Sequence, residues 1–173
     1  MNDIVCNEEI YKRVILDMVP RARDFLWIGT ADIKDMHIEK GRRYYPFLYQ
    51  LDQLVQKGVE VRLVHAKEPG PRFREDFDSF PRLIESDLFK RVLCPRVHFK
   101  VIIVDGKYAY SGSANLTGAG LGAKNPRRRN FEIGFVTEEP RHIRPLEDMF
   151  EKVFRGGFCA SCERRMVCPD PIV

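Results

Sequence analysis

The chain has 173 residues and a formal net charge of +4, and its 44% hydrophobic and 31% charged residues are ordinary for one globular domain. No apolar run approaches the ~18 residues of a membrane span, and the start, MNDIVCNEEIYKR, lacks the basic and apolar regions of a signal peptide. We therefore expect a cytoplasmic protein, whose mildly basic character permits an anionic partner without requiring one.

The hydrophobic pattern divides the chain into helices and strands. Apolar residues recur every three or four positions in the helical segments, whereas the strand segments are short apolar or alternating runs. In chain order the predicted elements are a helix at 7–19, a strand at 25–30, a helix at 43–57, strands at 59–66, 88–93, 97–105, 108–111 and 131–137, and a helix at 140–154. This order predicts an α/β fold with a mixed β-sheet flanked by helices.

Three details refine this prediction. Asn7 is placed to cap the first helix, and Asp105-Gly106 is a strong signal for a hairpin between two strands. The segment 67–83 has no clear period, so we expect a long loop or short helices there. We expect its phenylalanines to pack into the core rather than to stack on bases.

The stretch VHFKVIIVDGKYAYSGSAN, 97–115, carries polar residues around two predicted strands. His98 and Lys100 lie two positions apart, so their side chains face the same way. Basic groups on one face of an apolar strand are costly to bury without a partner, which favours a pocket for an anion. Ser113 and Asn115 add a hydroxyl and an amide that can hydrogen-bond a phosphate.

The same stretch resembles a known signature. His98-x-Lys100, Asp105 and Gly112-Ser113-x-Asn115 resemble the HKD motif of the phospholipase D superfamily in residue type and in spacing. The alternative is a core strand with a satisfied histidine. It would need coincidences at six positions within 18 residues. The resemblance implies a phospholipase D-like domain.

The resemblance also implies a role for each matching residue. His98 is expected to be the nucleophile and to form a phosphohistidine intermediate. Lys100 and Asn115 are expected to hold the phosphate oxygens, with Ser113 behind them. Glu132, on the next strand, is expected to accept a hydrogen bond from His98 and so to fix its tautomer.

Asp105 is expected to have a structural role, because the Asp-Gly turn lies too far along the strand to share the pocket. The family's site needs two motifs, so that a second histidine can protonate the leaving oxygen. This chain has one, because none of its other histidines is followed by the same pattern. Single-motif members assemble the site across a two-fold axis, which implies a homodimer. No metal is needed for this chemistry.

The segment 118–130 holds a basic run between two strands of the expected site, with Lys124, Arg127, Arg128 and Arg129. Such a run can be a solvated loop. Near the pocket mouth, and doubled in a dimer, it can also follow a nucleic-acid backbone. We therefore expect an endonuclease acting on DNA or RNA. The alternatives are a lipid hydrolase or transphosphatidylase of the phospholipase D type, and a nucleic-acid-binding module without turnover.

The end of the chain has a second constellation, Cys159-x2-Cys162-x5-Cys168. With Cys94 as the fourth ligand, or Cys6 in its place, four thiolates would suit a structural zinc or an iron–sulfur cluster. The spacing also resembles the cluster motif of some nucleases of an unrelated fold. The alternatives are chance and disulfide formation. We expect a catalytic domain at 1–156 and a Cys-rich tail at 157–173 packed on it.

Overall fold

A seven-stranded mixed sheet forms the centre of the molecule. The computed structural model describes residues 2–34, 36–121, 123 and 125–172. The order of the strands in the sheet is β1-β9-β8-β7-β2-β5-β6, and β3 pairs with β4 in a separate hairpin. β2, β5 and β6 are parallel to one another, and the other pairings in the sheet are antiparallel. The strands are β1 (Asn2–Cys6), β2 (Phe25–Thr30), β3 (His37–Lys40), β4 (Arg43–Pro46), β5 (Glu60–His65), β6 (Phe89–Leu93), β7 (Val101–Val104), β8 (Tyr108–Gly112) and β9 (Ile133–Thr137).

Helices cover both faces of this sheet. They are α1 (Glu8–Ile10), which continues as a π-helical stretch (Tyr11–Met18) and a 3-10 turn (Val19–Arg21), then α2 (Phe47–Gln56), α3 (Pro71–Asp78), α4 (Pro81–Glu85) and α5 (Pro140–Phe154). The first four and their extensions pack on one face, and α5 packs on the other. No helix in the described part of the chain is long and apolar enough to cross a bilayer.

Strand β7 shows how the sequence divides its side chains between the two layers. Ile102 and Val104 belong to the core on the α1 and α2 side. Val101 and Ile103 belong to the core under α5, and Phe99 packs against the same core. Successive side chains thus alternate between the two layers, and Phe99 faces away from the layer to which the even-numbered residues point.

Several elements agree with the sequence predictions. β2 and α5 have the predicted bounds, and the segment 67–83 forms the short helices α3 and α4. Phe73 is buried there and Phe77 packs against the core, which confirms their packing role. The Asp-Gly hairpin is also confirmed, because Asp105 and Gly106 take φ values of 53° and 62° between β7 and β8.

Other predictions were wrong at their edges. The first four residues of the segment 43–57 form β4 rather than helix. Pro46 explains this, because a proline pushes the preceding residue towards extended backbone. The predicted strand 97–105 is shorter, since the pairing of β7 with β2 reaches only as far as Val101 opposite Gly29. β1 was not predicted at all, and it pairs with β9 at one edge of the sheet.

The carboxylate of Asp105 ties this hairpin to the start of β2. It accepts hydrogen bonds from the backbone N–H groups of Arg23, Asp24 and Phe25 at 2.8 to 3.2 Å. Phe25 in turn offers its carbonyl to Asp105 N at 3.0 Å. A carboxylate with this set of donors joins two parts of the chain that are 80 residues apart.

Substitution of Gly29 should destabilise the fold. A Cβ atom there would lie 2.7 Å from Cδ2 of Phe99 and 3.0 Å from Val101, both within the packed layer. We expect Gly29→Ala to lower the free energy of unfolding by about 1–3 kcal/mol, measured by urea denaturation. Gly70→Ala is the matched control, because a Cβ at Gly70 meets no atom within 4 Å. Equal stabilities of the two variants would contradict this packing argument.

Candidate active site

The motif residues meet at one end of the central strands, where β7 begins and β8 ends. Gly112 N donates to the carbonyl of Lys100 at 3.1 Å, and Gly112 lies opposite Gly134 across the β8–β9 pairing. This register brings the segment that holds His98 next to the residues that follow β8. Glu132, which directly precedes β9, reaches the same end.

Lys100 is a buried cation, 8% exposed, beside an exposed histidine. Its Nζ donates to the carbonyl of His98 at 2.8 Å and lies 3.5 and 3.4 Å from Nδ1 and Nε2 of the His98 ring. An ammonium only donates, so a ring nitrogen can accept from it only in the neutral imidazole. Within the described residues Lys100 forms no ion pair with a carboxylate. The site therefore presents the His98 ring next to a positive charge that has no carboxylate partner among the described residues.

Glu132 is held by four hydrogen bonds, two to its carboxylate and two to its backbone. Its Oε2 accepts a short hydrogen bond from Ser113 Oγ, and its Oε1 accepts from Asn130 Nδ2 at 3.0 Å. Its backbone N–H donates to Asn7 Oδ1 at 2.9 Å. The expected hydrogen bond between Glu132 and His98 is not formed among the described residues, where Ser113 and Asn130 are the side-chain donors to the Glu132 carboxylate.

Asn7 has a different role from the predicted one. It makes no side-chain capping hydrogen bond to α1, and its φ of 49° is left-handed. Its side-chain oxygen instead accepts from Glu132 N, and its own backbone N–H donates to the Glu132 carbonyl at 3.0 Å. Sequence reasoning missed this because the two residues are 125 positions apart. The only local signal was a polar residue directly after an unrecognised strand.

The side chain of Asn115 is oriented by the end of β2. Its Oδ1 accepts from Asp32 N at 3.1 Å and from Thr30 Oγ1 at 3.4 Å. Thr30 Oγ1 also accepts from Leu116 N at 2.9 Å, which fixes the backbone after the motif. With its oxygen engaged, Asn115 has Nδ2 left to donate to an anion. Thr30 was not singled out from the sequence, although it ends a buried strand with a hydroxyl.

Tyr110 explains the glycine of the motif. A Cβ on Gly112 would lie 2.5 Å from the Tyr110 hydroxyl and 2.7 Å from Gly134 Cα, so only glycine fits. Burial raises the pKa of Tyr110 to about 12, and the charge of Glu132 acts in the same direction. The phenol therefore stays neutral under the motif backbone.

The remaining histidines lie on other elements of the fold. His65 is completely buried at the end of β5, with Nδ1 2.7 Å from the carbonyl of Lys67. Burial lowers the pKa of His65, which keeps its ring neutral. His142 packs edge-on against Phe135 from α5, and His37 is exposed on β3. His65 pairs with Thr30, so its buried ring lies at the same end of the sheet as the start of β7, two strands away from it.

The basic segment splits into two parts. Arg127 and Arg128 are exposed in a 3-10 turn, and no ion pair of theirs is present within the described residues. Arg129 instead forms an ion pair with Glu8 at 2.9 Å, so the structure uses it to hold the start of α1. Lys124, the fourth predicted cation, lies outside the described residues.

The cysteines of the tail share one cavity with Cys94. Cys94, Cys159, Cys162 and Cys168 all line a cavity of about 290 Å³. All five cysteines are free thiols. Cys6 lies on β1 at the other edge of the sheet. Nowhere in the described chain do three His, Cys, Asp or Glu side chains converge closely enough to hold a single metal ion.

Comparisons with solved structures agree with this fold. NucT from Helicobacter pylori is 14% identical, with a TM-score of 0.65, and the match covers 88% of this chain and 94% of that one. Nuc from Salmonella typhimurium, a phospholipase D family member, is 15% identical, with a TM-score of 0.62 and coverage of 88% and 93%. TrmBL2, an archaeal chromatin protein with a novel mode of DNA binding, is 12% identical, with a TM-score of 0.58 and coverage of 88% and 51%.

At the level of sequence, no curated protein matches the chain significantly. The family model described as "Cardiolipin synthase, PLD-like domain" matches residues 15–154, which include all of the motif. Both the matched segment and the seven-stranded sheet support one assignment. The chain belongs to the phospholipase D-like family.

Proposed function

We propose that the protein is a phosphodiesterase that cleaves nucleic acid through a phosphohistidine intermediate. The observation that carries the proposal is the buried ammonium of Lys100, which has no carboxylate partner among the described residues and lies against the ring of His98. A buried cation without a counter-ion is unfavourable by itself. A bound phosphodiester would supply the missing negative charge directly beside the ring of His98.

The reaction has two displacements at phosphorus. In the first, a ring nitrogen of His98 attacks, the N–P bond forms and the bond from phosphorus to the leaving oxygen breaks. Lys100 and Nδ2 of Asn115 donate to the phosphoryl oxygens as charge develops on them. In the second, water attacks phosphorus, the N–P bond breaks and His98 is regenerated. The leaving oxygen needs a proton in the first step, and the water must lose one in the second.

A second histidine would protonate the leaving oxygen in the first step and accept a proton from water in the second. We propose that it is His98 of the partner subunit. An apolar patch beside Glu132 supports a two-fold dimer. Phe131 is 98% exposed, Ile133 is 58% exposed and Ile4 on the neighbouring strand β1 is 63% exposed. Large apolar side chains grouped in this way are typical of interaction surfaces. A two-fold contact across this patch would place both copies of the site close together.

Nucleic acid is the favoured substrate because of Arg127 and Arg128. Their side chains are exposed close to the chain segment that carries Glu132, and a dimer would present them twice. Guanidinium groups bind phosphate oxygens in a bidentate manner. The DNA binding reported for TrmBL2 supports the same substrate class. A phospholipid is the second candidate, supported by the description of the matching family model.

The first prediction concerns turnover. We expect wild-type protein to hydrolyse DNA or RNA in the presence of EDTA, and His98→Ala to lose activity by roughly 10³-fold or more. His37→Ala, at an exposed histidine away from the site, should retain activity. The measurement is hydrolysis of nucleic acids, phosphatidylcholine vesicles and bis-p-nitrophenyl phosphate, together with acid-quench detection of the phosphorylated protein.

Each alternative has its own outcome in this screen. Turnover of phospholipid alone would replace the substrate class and keep the mechanism. Tight DNA binding by a dimer without any turnover would indicate a binding module. Equal activity of wild type and His98→Ala would rule out the phosphohistidine.

The second prediction concerns salt. If Arg127 and Arg128 bind phosphates, the variant Arg127→Gln/Arg128→Gln should reduce the dependence of log affinity on log salt by roughly 2 per subunit. The control is Arg23→Gln/Lys107→Gln, which removes two exposed charges beside Asp105 at the opposite end of β7. Fluorescence anisotropy with duplex DNA from low to moderate salt measures both slopes. The same slope for the two variants would mean that the turn is only solvated.

The third prediction concerns assembly. Phe131→Asp should raise the dissociation constant of the dimer roughly tenfold or more, since a charge replaces a central apolar side chain. Tyr44→Asp, at an exposed aromatic on β4, should leave assembly unchanged. Sedimentation equilibrium gives the mass, and turnover is followed over protein concentration. A wild-type protein that is monomeric and active at every concentration would contradict the shared site.

A further inference from the structure

A cavity lies behind the segment that carries His98 and Lys100. Its apolar walls come from the layer under α5, and they are formed by Val97, Phe99, Met149, Val153 and Phe158. Phe99 stands between the two basic residues of the motif and points to the opposite side from them, into this cavity. Four of the five cysteines of the chain open onto the same space of about 290 Å³.

Short turns bring three of these cysteines to the cavity. α5 ends at Phe154, and Gly156, two residues later, takes a φ of +72° that reverses the chain. Cys159 N then donates to Gly156 O at 2.8 Å, and Cys162 N donates to Cys159 O at 3.2 Å. Cys168 follows a further turn, in which its N–H donates to Arg165 O at 3.3 Å. The tail is therefore folded back so that its thiols face one volume.

The fourth thiol comes from the end of β6, where the tail is attached. Cys94 N donates to the carbonyl of His65 at 2.8 Å, which continues the pairing of β6 with β5. The neighbouring Leu93 N donates to Asp170 Oδ2 at 2.9 Å, beyond the last cysteine of the tail. Hydrogen bonds in the described chain therefore hold both Cys94 and the segment that follows Cys168 in place. Cys94 rather than Cys6 is the fourth thiol at the cavity.

Positive charge surrounds the thiols. Arg96 Nη1 lies 3.5 Å from Cys162 Sγ, and Arg164 and Arg165 also line the cavity. Four coordinated thiolates would bring several negative charges into an apolar space, which needs compensation. Guanidinium groups supply that compensation and can hydrogen-bond to the sulfur atoms of a metal centre.

The arrangement of the thiols favours an iron–sulfur cluster over a single zinc ion. A single zinc ion needs its thiolates about 2.3 Å from one point, and in the described residues no three such ligands converge in this way. A cluster of several iron and sulfide atoms spreads its four cysteine ligands around a larger body. A cavity of about 290 Å³ that four thiols line suits the cluster.

We propose that Cys94, Cys159, Cys162 and Cys168 bind an iron–sulfur cluster that fastens the tail behind the His98 segment. This proposal is independent of the proposed reaction, because the cluster lies on the other side of Phe99 from the ring of His98. It fills the cavity and ties β6, α5 and the tail to one another.

The test is the metal and sulfide content of protein prepared without oxygen. We expect two or four iron per chain with an equal number of sulfide, and the broad visible absorption of sulfur-to-iron charge transfer. Serine substitution of any of the four cysteines should remove most of the iron and lower the melting temperature. Cys6→Ser is the matched control and should keep the full iron content, because Cys6 lies on β1 outside the cavity.

A labelling experiment covers the case in which a serine variant does not fold. In native wild-type protein with its cluster, a thiol reagent should modify Cys6 and spare the other four cysteines, and removal of iron by a chelator should expose those four. Colourless protein in which all five thiols react would overturn the proposal. One zinc ion per chain without iron or sulfide would overturn it as well, and so would iron that all four serine variants retain.

Discussion

Lys100 places a positive charge inside the protein, next to a histidine and away from any carboxylate in the described residues. Burial of an unpaired charge is unfavourable, so the surrounding structure must hold the side chain in place by other means. Its backbone belongs to the sheet through Gly112, and its Nζ is anchored on the carbonyl of His98. An anion bound beside Lys100 would balance this charge. The other groups at this end of the sheet are arranged around the same position.

The groups around this charge are positioned by hydrogen bonds from residues on several elements. Thr30 and Asp32 hold the oxygen of Asn115 and so direct its amide nitrogen. Ser113 and Asn7 hold Glu132 through its side chain and its backbone. Strands from three distant parts of the chain thereby support one small site. Such support is what keeps reacting groups in a productive geometry before substrate arrives.

The sequence predicted the elements that depend on neighbouring residues. It did not reveal hydrogen bonds between residues that are far apart in the chain. The apolar run of β2, the period of α5 and the Asp-Gly turn are short-range signals, and each led to the correct element. β1 is only five residues long, with polar ends, and it is a strand because β9 offers it an edge. The bond from Glu132 to Asn7 depends on that pairing, so no local pattern could reveal it. The sequence did group Cys94 with the three cysteines of the tail, and the structure places these four around one cavity where β6 and the tail meet.

The pairing of β1 with β9 has a consequence for the newly made chain. β1 can pair only after β9, which ends at Thr137, has been synthesised. Asn7 can accept its hydrogen bond only after Glu132 has been synthesised. Contacts between residues so far apart in sequence form late, since a long loop must close before they contribute. A ribosome delivers the N-terminal part first. The end of the sheet that carries His98 therefore stays incomplete until the chain has been synthesised as far as Thr137.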